Sequence, residues 1–269
     1  MCGRYHLATT PSQIAELFGV LTISPELRDW SARYNIAPTQ SAVIVRPLAA
    51  DVPPPPRRAN APVKPLSGIA CEVVPARWGL IPRWASEPDI GVRSINARAE
   101  TASLLPAFRE SFLQRRCIVP ADGFYEWATS PEGRKQPHWI GAISPQTRSP
   151  APFAMAGLWD SWKPAPRQHD DQSATLDDGP IETFTILTTL PNAFMAQSYT
   201  RMPVVLRPEQ YAAWLDPRQN DPAALLSLCQ PFTGEMLQHP VSVLVNSPRN
   251  DDPRCSEPSV VIEPPDLFG

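Results

Sequence analysis

The chain has 269 residues, a formal net charge of -3 and an isoelectric point near 5.8. This acidic balance argues against a general polyanion binder, although it leaves room for a locally basic groove. Its 42% of hydrophobic residues can form a sizeable core, but 35 prolines interrupt the periodic segments repeatedly. We therefore expect short strands, short helices and long connections.

The cysteine spacing and the hydropathy of the chain argue against several cofactors and against a membrane location. The five cysteines are widely spaced and form no CxxC pair, so neither a zinc site nor a disulfide framework is indicated. No apolar run reaches the ~18–20 residues of a membrane span, and the N-terminus does not resemble a signal peptide. We expect a cytoplasmic monomer with no metal, no cofactor and no membrane association.

The first predicted functional group is Cys2, which follows the initiator methionine. Methionine is generally removed before a small residue, so the mature chain is expected to begin with a free α-amine and a thiol on one residue. Their reference pKa values, about 7.7–8.0 and about 8.5, give both groups reactive fractions near neutral pH. Such a 1,2-aminothiol attacks acyl groups or condenses with aldehydes. The alternative is that a cysteine at this position is incidental.

The first predicted helix begins at Thr10-Pro11-Ser12-Gln13, which has the pattern of a capping box with proline at the first helical position. Ile14, Leu17 and Phe18 are expected to pack on one face of the helix, and Gly19 to end it.

The next segments alternate between turns and a strand. Residues 34–40 predict a turn-rich link into a strand at 42–45, and the prolines within 51–65 predict an exposed spacer. Residues 77–84 hold two tryptophans and two arginines on a segment expected to be irregular. Tryptophans there can be core anchors, or can stack on bases beside arginines that contact phosphates. Composition leaves both interpretations open.

Asn96 and Arg98 precede a helix predicted at 106–114, so they are expected on a segment outside regular helix. Two strands are predicted next, at 117–120 and 123–127.

Glu126 lies within the second of these strands, and period-2 alternation places it on the face shared with Phe124. A carboxylate on an aromatic strand either points to solvent or is enclosed. Enclosure would raise its pKa toward the range of a general acid.

The remaining elements follow in order. Strands are expected near 135–140, 153–159, 184–188 and 241–245, a loop at 145–152, and helices beginning at Pro208 and at Asp221-Pro222. A polar insertion is expected at 164–180 and a proline-bearing tail at 256–269, so that residues 1–255 form one domain.

Seven motifs together carry a family resemblance. They are Met1-Cys2-Gly3-Arg4-Tyr5, residues 34–38, Arg77-Trp78-Gly79-Leu80-Ile81-Pro82, residues 95–101, residues 121–127, residues 156–159 and residues 201–206. In this order they resemble the SOS response-associated peptidase family. The resemblance implies an α+β fold with one domain of mainly antiparallel strands, in open barrel-like sheets with short flanking helices. It also implies a protein that detects abasic sites in single-stranded DNA, acts at the nucleoid and forms a covalent link through Cys2 after removing Met1.

The resemblance also implies roles for individual residues. Cys2 resembles the nucleophile, Asn96 the group that holds the cysteine and the opened sugar, and Glu126 the acid/base. The implied DNA contacts are Arg4, Asn35, Pro38, Arg77, Trp78, Arg83, Trp84 and Arg98.

One position departs from the family pattern. Members commonly carry His-Asp-Arg where this chain has Tyr199-Thr200-Arg201, so Tyr199 stands at the position of the catalytic histidine. His6 and His138 are the candidates to replace the missing imidazole.

Two other functions compete with the cross-linking interpretation. The first is an N-terminal-nucleophile cysteine amidohydrolase or peptidase, in which Cys2 attacks an amide and its own amine is the base. The second is a noncatalytic module that binds single strands through its Trp/Arg surface.

Overall fold

A computed structural model of the chain describes residues 2–20, 22–48, 69–129, 133–163 and 179–259. The strands in these ranges are β1 Arg4–Leu7, β2 Thr22–Ile23, β3 Arg33–Ile36, β4 Ser41–Pro47, β5 Cys71–Trp78, β6 Asn96–Arg98, β7 Arg116–Ala121, β8 Gly123–Thr129, β9 Lys135–Ile143, β10 Pro150–Ala151, β11 Phe153–Trp162, β12 Ile181–Thr189, β13 Met202–Pro203, β14 Val205–Leu206 and β15 Met236–Pro240. The α-helices are α1 Pro11–Leu17, α2 Ile90–Arg93, α3 Ala99–Ala102, α4 Arg109–Gln114, α5 Tyr211–Leu215 and α6 Pro222–Leu228. The proline-rich stretch at 51–65, most of the insertion at 164–180 and residues 260–269 of the tail lie outside the described ranges.

Five strands close into a barrel. Strands β5, β4, β7, β11 and β12 pair in that order as antiparallel neighbours, and β12 then pairs with β5 in parallel at Thr183↔Arg77 and Phe184↔Trp78. Apolar side chains of these strands fill the core, including Ile44 and Trp78, which are fully buried. This architecture confirms the predicted α+β fold class of mainly antiparallel strands.

A second sheet carries the N-terminus. Its strand order is β10-β9-β8-β1-β3, and β15 adds to β9. Strand β1 lies between β8 and β3, and its Tyr5 and Leu7 are fully buried. The first strand of the chain is therefore an interior strand of its sheet.

The helices are short, as the proline content predicts. The capping box is confirmed, because the Thr10 side chain accepts from the Gln13 backbone and the Gln13 side chain accepts from the Thr10 backbone. The expected burial of Leu17 is wrong: it is 49% exposed, and the helix packs through Ile14 and through Phe18 at its C-terminal end. None of the helices in the described ranges is long and apolar enough to cross a membrane.

Two local predictions are wrong. Residues 77–78 are not irregular but end strand β5, where the parallel pairing with β12 closes the barrel. Residues 241–245 do not form a strand, because Val243–Asn246 is a 3-10 helix, and the Ser242 side chain caps it by accepting from the Leu244 N–H. The strand there ends one residue earlier, at Pro240, which has no N–H to continue a ladder.

Arg116 ties two helices to the barrel. Its guanidinium is buried and donates to the backbone carbonyls of Phe112 and Leu113 from α4, of Trp214 from α5, and of Asp216 and Gln219 beyond α5. Burial lowers the pKa of Arg116 to about 10, so it remains charged at neutral pH. Three of its five bonds satisfy carbonyls that the last turns of the two helices leave unpaired.

We predict that Arg116→Met destabilises the fold by about 3 kcal/mol or more, because it leaves several buried carbonyls without donors. The measurement is the free energy of unfolding from chemical denaturation. Arg218→Met is the control, since Arg218 is exposed and contacts Asp216 only locally. Equal stability of the two variants would contradict the role given to Arg116.

Candidate active site

Cys2 is buried at the junction of the two sheets. Its side chain is 1% exposed, and its Sγ lies 3.7 Å from the Arg4 carbonyl oxygen. The Asn96 Nδ2 donates to the Cys2 carbonyl oxygen over 2.8 Å. Asn96 begins β6, which pairs with β12 of the barrel, whereas Cys2 leads into β1 of the second sheet. This hydrogen bond therefore joins the barrel to the N-terminus.

Glu126 comes from the strand beside β1. Strands β8 and β1 pair at Tyr125↔Arg4 and Phe124↔Tyr5, so Glu126 lies next to the segment that leads to Cys2. The Glu126 side chain is 7% exposed, and burial raises the pKa of its carboxyl. Of the two interpretations left open by the sequence, the enclosed carboxyl is the one observed.

Tyr199 approaches from the barrel side. It follows the 3-10 helix Met195–Gln197, is 9% exposed, and donates its backbone N–H to the Met195 carbonyl. Burial, and then the nearby negative charge of Glu126, raise the pKa of Tyr199 to about 12. Within the described ranges neither the Tyr199 hydroxyl nor the Asn96 Oδ1 has a hydrogen-bond partner. These two polar atoms are available to a bound molecule.

The four candidate catalytic residues thus converge from two sheets. Burial, followed by the negative charge of Glu126, raises the pKa of the Cys2 thiol well above its ordinary value. The same carboxylate therefore interacts with both Cys2 and Tyr199. At neutral pH the thiol and the phenol keep their protons, so the site can deliver protons more readily than it can remove them.

The two histidine candidates differ in their position. His6 stacks on Tyr34 and accepts at Nδ1 from the Trp139 indole, so its ring is engaged away from Cys2. His138 pairs with Glu126 across β8 and β9, and cross-strand partners lie on the same face of a sheet. Burial lowers the pKa of His138, which keeps its ring neutral at neutral pH.

The expected DNA contacts divide into exposed and buried residues. Arg98 and Trp84 are exposed, and Arg4, Pro38 and Arg77 are half-buried. Pro38 lies in the turn beside β5, where the Thr39 N–H donates to the Trp78 carbonyl.

Two of those residues do not present their side chains at the surface. Trp78 is 0% exposed, packs edge-on against Tyr5, and donates its indole N–H to the Ile95 carbonyl. Asn35 is also 0% exposed, and its amide is fully used within the protein. Of the two interpretations left open for the tryptophans, Trp78 fits the core anchor, and its hydrogen bond to Ile95 supports the strand that begins at Asn96. Direct contact of either residue with DNA does not fit this structure.

Arg83 and Trp84 lie on a separate part of the barrel. Arg83 donates to the buried Asp160 carboxylate and lies 3.8 Å from Glu110. Asp160 pairs with Thr183 of β12, whereas Asn96 pairs with Ile186 further along that strand. Arg115 also binds both carboxylates, so the two guanidinium charges are offset by two carboxylates, which weakens Arg83 as a phosphate contact.

Arg201 is a site residue that the sequence reasoning missed. Its guanidinium binds both oxygens of Glu100 at 2.8 Å and donates to the Thr188 carbonyl at 2.7 Å. It thereby ties the segment after Tyr199 to β12 and to the residues just beyond Asn96. The available indication was its place in the motif at 201–206, which carried part of the resemblance.

All five cysteines are buried and free. Within the described ranges no group of three His, Cys, Asp or Glu side chains could hold a metal ion.

Comparison with known proteins identifies relatives along nearly the whole chain. Residues 1–248 match the family model described as SOS response associated peptidase. The abasic site processing protein YoqW of Bacillus subtilis (strain 168) is 36% identical over 96% of this chain and 99% of its own length.

A vertebrate relative and a solved structure agree with this match. The abasic site processing protein HMCES of Xenopus tropicalis is 34% identical over 66% of this chain and 55% of its own length. A crystal structure of a protein from Bacteroides thetaiotaomicron aligns with a TM-score of 0.73 and 25% identity. That alignment covers 96% of this chain and all of the other.

The buried carboxyl generates a prediction about stability and pH. The folded-state pKa of Glu126 is raised above its ordinary value of 4.5, so its stabilising contribution is complete below the unfolded-state pKa. That contribution is lost as the pH rises through the raised folded-state pKa. We predict that Glu126→Gln becomes progressively more stable relative to the unsubstituted chain as the pH rises from about 4.5 through the raised folded-state pKa. Denaturation curves across this range test it, and parallel pH profiles would contradict the enclosed, shifted carboxyl.

Proposed function

The chain belongs to the SOS response-associated peptidase family, and we propose that it is an abasic site processing protein that cross-links to DNA through Cys2. Its substrate in this proposal is single-stranded DNA containing an abasic site, and its product is a thiazolidine between the sugar and Cys2. The observation that carries the proposal is the convergence of the half-buried Asn96 amide on Cys2 and Glu126, whose side chains are both buried.

The proposed reaction begins with removal of Met1 by hydrolysis of the Met1–Cys2 peptide bond, a peptidase-like self-processing step. The freed Cys2 amine then attacks C1′ of the open-chain aldehyde, and a carbinolamine forms. Glu126, whose pKa is raised by burial, protonates the departing hydroxyl so that water leaves and an imine remains. The thiol adds to the imine carbon and its proton passes to nitrogen, which closes a five-membered ring with one water released in all.

Asn96 and Tyr199 have proposed roles around this reaction. The Asn96 amide holds the Cys2 carbonyl at 2.8 Å, which fixes the nucleophile relative to the barrel. The Tyr199 hydroxyl, with a pKa near 12, donates a hydrogen bond to a sugar oxygen and does not act as a base.

The state of the thiol disfavours the amidohydrolase alternative. Attack on an amide uses a thiolate, and burial beside Glu126 raises the pKa of the Cys2 thiol. Condensation with an aldehyde uses the amine first and needs the thiol only in the second step. The noncatalytic alternative does not account for a carboxyl buried beside the cysteine at a cost in desolvation.

In this proposal the DNA follows the exposed and half-buried residues around the site. Arg4 and Arg98 contact phosphates, and Pro38 packs against a base or sugar beside the abasic position. The protein acts as a monomer at DNA of the cytoplasm or nucleoid, with residues 1–255 as one domain, in the response to DNA damage.

We predict that Cys2→Ala abolishes a heat-stable adduct with single-stranded DNA containing one abasic site. Binding of the same DNA should stay within severalfold, because the phosphate contacts lie elsewhere. A denaturing gel measures the adduct and fluorescence anisotropy measures binding. The control is the unsubstituted chain with its α-amine acylated, which should also form no adduct because an acylated nitrogen cannot give an imine. An adduct formed by either protein would exclude this mechanism.

Position 199 gives a second prediction. An imidazole titrates near pH 6.5 and exchanges protons at neutral pH, whereas a phenol near pH 10 is a good donor and a poor base. We expect Tyr199→His to accelerate both formation and release of the adduct, by up to about 10²-fold, and Tyr199→Phe to slow formation. Single-turnover rates of adduct formation, and of release into excess aldehyde, measure these effects. Identical rates for all three proteins would remove Tyr199 from the proton chemistry.

A further inference from the structure

A segment near the C-terminus accepts hydrogen bonds from the side chain of Arg4, the first residue of β1. We call residues 243–255 the C-terminal clasp; it consists of the 3-10 helices Val243–Asn246 and Pro253–Cys255 and the residues between them. The Arg4 guanidinium donates to the clasp carbonyls of Val245, at 2.6 Å, and Asn246, at 3.2 Å. The clasp thus holds the side chain two residues from Cys2.

Asn35 connects Arg4 to the rest of the clasp. Its Oδ1 accepts from Arg4 Nη1 at 3.0 Å, and its Nδ2 donates to the carbonyls of Val245, Ser247 and Asn250 at 3.1, 3.0 and 2.8 Å. A fully buried amide with four partners, one from β1 and three from the clasp, is a structural connector. This accounts for its burial where a DNA contact was expected.

Asp251 closes the network from the clasp side. Its carboxylate accepts the backbone N–H groups of Tyr34 and Asn35 and pairs with the Arg33 guanidinium. These bonds fix β3 against the clasp, and so fix the backbone from which the Asn35 side chain projects.

This hydrogen-bond network affects Cys2 because it fixes Arg4, which lies only two residues further along the chain. The ladder of β1 begins at Arg4, so Cys2 and Gly3 have no strand pairing of their own, and unpaired chain ends open locally at low cost. Cys2 is nevertheless 1% exposed. The Asn96 bond holds its carbonyl, and the clasp holds the next anchored side chain, Arg4.

We propose that the C-terminal clasp sets the buried position of Cys2, with Asn35 and Asp251 as positioning residues that act through Arg4. The importance of this for catalysis rests on the proposed function; the positioning itself does not.

The test measures the accessibility of the Cys2 thiol without DNA. Full-length protein is exposed to iodoacetamide, and alkylation of Cys2 and of Cys117, a fully buried barrel cysteine, is followed by peptide mass spectrometry. Losing buried hydrogen-bond partners favours local opening, so Asn35→Ala should raise the Cys2 rate about tenfold relative to Cys117. Asp251→Asn, which keeps an acceptor but loses the charge, should raise the ratio severalfold.

Two further variants separate positioning from general destabilisation. Arg4→Ala should raise the ratio of the Cys2 to the Cys117 alkylation rate as much as Asn35→Ala does. The double variant should raise this ratio no further, because both changes break the same connection. Asp252→Ala is the matched control, since Asp252 is the next residue of the clasp and, among the residues that the structure describes, its carboxylate bonds only to Arg254 at the start of its own 3-10 helix. It should leave the ratio unchanged.

The alkylation experiment can contradict the clasp proposal without contradicting the proposed cross-linking function, and the reverse also holds. The clasp proposal is wrong if Asp251→Asn leaves the ratio of the Cys2 and Cys117 alkylation rates unchanged. It is also wrong if the variants raise both rates equally. If Asn35→Ala unfolds the whole chain, the result for Asp251→Asn decides the test. Additive effects of Arg4→Ala and Asn35→Ala would also overturn the clasp proposal. If the unsubstituted protein forms no adduct with abasic DNA, the cross-linking proposal fails while the alkylation ratios still judge the clasp.

Discussion

The hydrogen bond from Asn96 to the Cys2 carbonyl is the interaction on which the site depends. It joins an N-terminus that belongs to one sheet to a short strand that belongs to the barrel. Glu126 comes from the same sheet as the N-terminus, and Tyr199 comes from the segment that follows barrel strand β12. A site made at such a junction needs both sheets folded and docked, because neither sheet supplies the complete set of groups.

The electrostatics of the site follow from its burial. Desolvation penalises the charged forms of the Cys2 thiol, the Glu126 carboxyl and the Tyr199 phenol, and the raised pKa of each group reflects this. A negative charge on Glu126 also opposes ionisation of the other two. The interior therefore favours neutral, protonated side chains. This suits the proposed expulsion of water from a carbinolamine, because that step consumes a proton at the leaving oxygen.

Local features of the sequence were predictable where one short-range rule governs them. The capping box at Thr10 involves residues three apart, and the strand around Glu126 follows from aromatic and apolar alternation. Alternation could not show that Glu126 is enclosed, because both faces of strand β8 are buried. Phe124 on one face and Tyr125 on the other are each fully buried. The parallel closure of β12 on β5 joins residues about a hundred positions apart, and no local pattern encodes that register. For the same reason the sequence did not reveal that Asn35 faces the C-terminal clasp.

The partners of each arginine determine where an anionic strand can bind. Arg83 and Arg115 share the carboxylates of Asp160 and Glu110, and Arg201 pairs with Glu100, so each group is close to neutral as a whole. Arg4 is held only by carbonyl and amide oxygens among the described residues, which orient a guanidinium without cancelling its charge. A phosphate beside Arg4 would gain the full Coulomb attraction with no ion pair to displace. The same bonds that hold the strand of Cys2 therefore leave a fixed positive charge two residues from Cys2, where the proposed reaction would bring the phosphates of an abasic strand.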